Sequence, residues 1–183
     1  GKNQGKNTRN LEQILELTKR YYVTEKASQI SKELDELARK QETLSELKLG
    51  QDFSNKEQQK LNEEFENLEK GIRDLEKDNE QLQKPLQLDT DEKKTDAIKN
   101  DQQDALEEIN KHQGIEESSQ SKEKQEAGNN ASKKQKSAAQ KMREMSQSMK
   151  SGSMGGGESD AEDAEMLRQI LDNLVTFSFS WKH

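Results

Sequence analysis

Residues 61–86 read LNEEFENLEKGIRDLEKDNEQLQKPL. Within this stretch Leu61, Phe65, Leu68, Ile72, Leu75, Asn79, Leu82 and Leu86 are separated by alternating steps of four and three. The mean of ~3.5 residues is the period at which a helix keeps one apolar seam against a partner while its other faces stay charged. The stretch therefore predicts a coiled-coil helix. Asn79 takes an a position in it, where an amide either sets register or marks fraying near the helix end.

Upstream, a second seam runs through Val23, Ala27, Ile30, Leu34, Leu37, Gln41 and Leu44, with Gln41 as its weak layer. Asn10 with Gln13, and Ser54 with Glu57, have the spacing of capping boxes, and Gly50 supplies a helix stop between the two helices. A loop this short makes the helices antiparallel, so residues 10–84 are expected to form an elongated helical hairpin about 60 Å long. Ile14, Leu17 and Tyr21 follow another phase; the helix either starts its seam late or turns another face to a third element. Residues 1–9, with two Gly-Lys-Asn copies and no apolar side chain, read as a mobile tail.

Downstream, Pro85 ends the second helix, and Leu86 and Leu88 are expected to fold back on the hairpin. Asp89 with Glu92 predicts a cap for a third helix with a thinner stripe, Ile98, Gln102, Ala105, Ile109 and His112. Residues 89–150 thus read as a long, weakly packed helical region with a break near 128–130, at Gly128-Asn129-Asn130. Beyond the break follow Ala131, Gln135, Ala138, Met142, Met145 and Met149, a shallow and adaptable seam. Residues 151–158 are a Gly-rich linker, and 128–132 and 151–158 are expected to act as hinges. Residues 159–183 hold a short helix with Ala164, Leu167, Ile170, Leu171 and Leu174, then a strand-like alternation of Val175, Phe177, Phe179 and Trp181. The rings of that tail either close on a helix of this chain or add an edge strand to another protein, and the second reading is adopted.

Composition agrees with narrow seams and excludes several functions. The 183 residues are 27% hydrophobic, 37% charged and 4% aromatic, against roughly 45–50% apolar in ordinary globular domains. The net charge of −7 is interspersed along the chain, which disfavours nucleic acid as a partner. Lys133, Lys134, Lys136, Lys141 and Arg143 read as a solvated face in preference to a phosphate or headgroup patch. There is no cysteine, hence no disulfide or thiolate chemistry. No apolar run approaches the ~18 residues of a membrane span and no signal peptide is visible. Gly1 in place of methionine reads as the mark of a fragment or a processed product. His112 and His183 stand without a ligand or triad constellation, and Gly155-Gly156-Gly157 lacks the lysine of a phosphate loop. No enzyme, cofactor, metal or small-molecule substrate is expected.

The segments ASQISKELDELARKQETLSE, QQKLNEEFENLEKGIRDLEKDNEQLQKP, ASKKQKSAAQKMREM and AEDAEMLRQILDNLVTFSFS occur in this order. With them the chain resembles the coiled-coil part of large, uncharacterised, membrane-anchored envelope proteins of Gram-negative bacteria, over about Tyr22 to Ser180. The most specific piece is the leucine helix running into Ser178-Phe179-Ser180; Trp181-Lys182-His183 departs from the family pattern. The resemblance implies a non-enzymatic segment of a longer protein, on the periplasmic side of the cell envelope, with membrane helices elsewhere and no catalytic residues to carry over.

The reading is an all-α, elongated antiparallel helical hairpin with a further long helix, serving as a structural and protein-interaction module. Leu61, Phe65, Leu68, Ile72 and Leu75 are the expected contact residues within the hairpin, and Phe177, Phe179 and Trp181 those toward a protein partner. The rival is a holdase-like chaperone or secretion accessory that binds clients through the Met-rich helix and aromatic tail. A cytoplasmic location is the alternative to the envelope.

Overall fold

The computed structural model describes residues 2–47, 53–115 and 122–154, together with 165, 168 and 172; side chains are described from Asn10 onward, excepting Phe53 and Met154. Four helices make up this part of the chain: α1 (Lys2–Glu46), α2 (Phe53–Glu80), α3 (Glu92–Gly114) and α4 (Lys122–Met154). Each packs on the next in sequence and α4 closes back on α1. Polar contacts fix the directions. Lys26 reaches Asp78 while Gln41 reaches Gln58, so α1 and α2 are antiparallel, as the hairpin reading expects. Lys99 on Glu69, Lys141 on Asp101 and Ser146 on Ser31 orient the remaining pairs the same way. The result is an up-down-up-down bundle with one hydrophobic cluster drawn from all four helices.

The seam residues of both hairpin helices are buried, with Leu34, Phe65, Ile72 and Leu75 at 0% exposure. Leu86 and Leu88 fold back into the same cluster. Helix α2 stops at Glu80, before Pro85, and the turn bonds Gln81 N–H to Asp78 and Leu82 N–H to Asn79 finish it. The third helix is capped by Asp91, whose side chain accepts from the Lys94 N–H at 3.2 Å. Asp89, the expected cap, instead turns the chain at φ 56°, a left-handed conformation that Asp tolerates better than most residues.

Three expectations are corrected. Residues 89–150 are not weakly packed: α4 makes the most extensive interhelical contacts, with α1 and α3. Small side chains are the reason. Ser31, Ala38 and Ser45 on α1 recur every seven residues and oppose Ser146, Ala139 and Ser132 on α4, and the Ser146 and Ser132 hydroxyls donate to the carbonyls of Ser31 and Ser45 at 2.9 and 3.0 Å. Helices lined this way bury surface through close approach and not through side-chain bulk. Second, α4 runs unbroken through Gly128-Asn129-Asn130, because burial of Ala127, Ala131 and Gln135 outweighs the ~1 kcal/mol helix penalty of a glycine. Third, α1 begins at Lys2, so residues 2–9 are helical and Asn10 is an interior residue. No proline interrupts them, and extending an existing helix gains a hydrogen bond per residue. The linker reading also yields at one end, since α4 continues to Met154. Residues 155–160 and the strand-like tail at 175–181 lie outside the described residues.

Helix α1 has 45 residues, roughly 67 Å at 1.5 Å per residue, against 28 for α2. The α2–α3 connection still reaches α1 at Glu16 and Arg20, through the Gln83 N–H and the Lys84 carbonyl; toward the N-terminus of α1, Leu11 and Leu15 are 68% and 56% exposed.

Candidate functional site

Each helix contributes one glutamine to a buried polar layer: Gln41, Gln58, Gln102 and Gln135, none more than 1% exposed. Gln41 Nε2 donates to Gln58 Oε1 at 2.8 Å, and Gln58 Nε2 donates back to Gln41 Oε1 at 2.9 Å. Gln135 Nε2 adds a second donor to Gln58 Oε1 at 3.0 Å. Gln102 Nε2 donates to Gln41 Oε1 and to the Leu61 carbonyl, both at 3.4 Å, and Gln58 Nε2 also reaches Asn62 Oδ1 at 2.8 Å. Primary amides neither titrate nor attack near neutral pH, so this layer performs no acid–base or nucleophilic chemistry. What it does is fix register. One heptad away the helices present Leu34, Phe65, Thr95 and Met142, all buried, and a slipped helix would bring a glutamine against these mostly apolar side chains with its amide unpaired, at about 1–3 kcal/mol per group.

The other buried polar groups are likewise committed to neighbours. Asp101 on α3 accepts from Ser137 at 2.6 Å and from Lys141 at 2.7 Å, both on α4. Asn79 grips the α2–α3 connection, its Nδ2 donating to the Leu86 carbonyl and its Oδ1 accepting the Leu86 N–H, each at 2.8 Å; it does not fray, and its amide anchors its own connection and not the seam with α1. Arg73 joins Glu76 at 2.7 Å and the Thr90 carbonyl at 2.9 Å. The hydrogen bond that Lys99 Nζ donates to Glu69 at 3.0 Å holds the pKa of the ammonium above its ordinary value. Burial in α3 pushes the His112 imidazole below its ordinary value, and nearby Lys124 adds to that shift.

Leu61, Phe65, Leu68, Ile72 and Leu75, expected as contact residues within the hairpin, all lie in the core. Leu68 also lines an open groove of about 310 Å³ between α1 and α2, with Ile30, Leu37 and Gly71 at its floor and Glu33, Glu36, Lys40 and Glu64 around it. Phe177, Phe179 and Trp181 lie outside the described residues. The glutamine layer as a four-membered unit escapes sequence reading: Gln41 reads as a weak position, and Gln102 and Gln135 as ordinary members of thin stripes. The signal was available in one glutamine per helix, each in register with the apolar seam. Among the described residues, no group of three or more His, Asp or Glu side chains could hold a metal ion, and no helix is long and apolar enough to cross a membrane.

Fold and polar layer together define the class, an antiparallel four-helix bundle keyed by a buried amide layer. No protein-family model, curated protein or solved structure matches the chain.

Proposed function

We propose that this chain is a non-enzymatic helical segment of a larger cell-envelope protein, serving as a rigid structural and protein-interaction module. The observation that supports the reading best is the use made of the buried polar side chains. The four glutamines and Asp101 hold helices against one another and Asn79 anchors the α2–α3 connection, which is what a spacer requires. The envelope setting, the periplasmic side and membrane helices elsewhere rest on the sequence resemblance, whereas a protein partner for Phe177, Phe179 and Trp181 rests on the strand-like alternation of that stretch.

The client-binding alternative is weakened in one respect. Met142, Met145 and Met149 are at most 2% exposed, so its Met-rich surface is spent in the core and only the aromatic tail would remain for capture. Light scattering by a heat-aggregating client protein tests the choice. A structural module leaves the scattering trace unchanged at equimolar chain; suppression near stoichiometry would overturn the proposal.

A further inference from the structure

The track on α1 that carries α4 does not end where α4 ends. Ser45, Ala38 and Ser31 are followed, seven residues at a time toward the N-terminus, by Thr24 and then Leu17, with Ile14 and Tyr21 flanking that position on the same side of the helix. By the Ser31–Ser146 register, Ser153 comes level with Thr24, so α4 stops just where the track changes from small side chains to large apolar ones. Beyond that level α1 continues to Lys2, about 33 Å further. Ile14 and Leu17 are half-buried there and Tyr21 is 42% exposed.

At its end α4 is running antiparallel along this track. Residues 158–174 would span about 25 Å as a helix, which fits the available length. Within them Glu165, Arg168 and Asp172 are helical and exposed, and helical spacing would place Leu167, Ile170 and Leu174 on the opposite side with Leu171 at its edge. In the register set by Ser31 and Ser146, Glu158 at the start of the segment comes level with Lys19.

We propose that the outer end of α1, centred on Ile14, Leu17 and Tyr21, is the docking surface for this chain's own residues 158–174, which lie antiparallel on it as a continuation of α4 past the glycines. The short connection favours the chain's own segment over a second copy, because tethering supplies an effective concentration in the millimolar range. The docking brings Val175–Trp181 to the far end of the rod. It concerns the packing of this chain and stands whether or not the module serves an envelope protein.

Amide hydrogen exchange on the full chain, read by mass spectrometry at two protein concentrations, tests it. In the wild type, amides of 10–21 and of 164–174 are expected to be protected equally at both concentrations. The double substitution Leu167→Asp with Ile170→Asp is expected to speed exchange by ~10-fold or more in both segments while 27–44 stays protected, as for a local opening uncoupled from the bundle. Acceleration confined to 164–174 would overturn the proposal. So would protection of 10–21 that appears only at the higher concentration, which would assign the surface to a second copy.

Discussion

Gln58→Leu separates a register-setting amide layer from a merely tolerated one. Leucine fills nearly the same volume, but it removes the oxygen that accepts from both Gln41 and Gln135. Two buried N–H donors then lose their acceptor within the layer, whereas Gln41 Oε1 keeps its bond from Gln102. At about 1–3 kcal/mol for each buried donor left unpaired, the single substitution should destabilise by about 2–6 kcal/mol. Replacing all four glutamines by leucine removes donors and acceptors together and should be far less harmful, neutral or stabilising by about 1–4 kcal/mol, as for other buried polar clusters exchanged for apolar ones. Urea unfolding followed by far-ultraviolet circular dichroism measures both. The expected order places the single variant well below the quadruple one. A Gln58→Leu variant as stable as the wild type would refute the layer, because its amides would then have water or other partners.

Three further outcomes follow from particular contacts. Phe65→Ala empties a fully buried ring position and should lower the unfolding free energy by about 3–5 kcal/mol; an unchanged urea midpoint would contradict the packing. At Gly152 an added Cβ would collide with the Gln87 carbonyl and lie 3.4 Å from the Leu88 nitrogen. Gly152→Ala should therefore destabilise by about 1–3 kcal/mol at a helical position where alanine ordinarily gains, and a higher melting temperature would exclude that close approach. Because burial depresses the folded-state pKa of His112 below its unfolded value near 6.5, the neutral ring contributes stability that is complete above that value and is lost as pH falls below it. Urea midpoints at pH 7.5 and 5.5 should differ more in the wild type than in His112→Leu; equal differences would show that His112 does not titrate with folding.

The helices were legible wherever a wide apolar seam carried the information. The seams through Val23–Leu44 and Leu61–Leu86 occupy the core as their spacing requires, and so do the thin stripes Ile98–His112 and Ala131–Met149. What stayed hidden was the strength of packing behind those thin stripes. Hydrophobicity scales reward bulk, whereas α4 packs through Ala138, Ala139 and Ser146, whose value lies in letting two backbones approach. The same bias turned Gly128-Asn129-Asn130 into an expected break, since local propensity is visible in a sequence and the partner helix that overrides it is not. Gln41 reads as a defect when seen alone and becomes a keyed position only beside Gln58, Gln102 and Gln135, which are remote in sequence.

The central claim is that α4 closes the bundle by pairing with α1 in a single register. The chain has no cysteine, so introduced pairs report without background. Ser146 Oγ lies 2.9 Å from the Ser31 carbonyl, and Ser31→Cys with Ser146→Cys should form an intrachain disulfide under mild oxidation, seen as a faster-migrating monomer and confirmed by peptide mapping. The control pair Ser31→Cys with Ala139→Cys, one heptad out of register and roughly 10 Å away along the axis, should remain reduced. Efficient closure of the control pair, or bridging between chains alone for the first pair, would contradict the bundle.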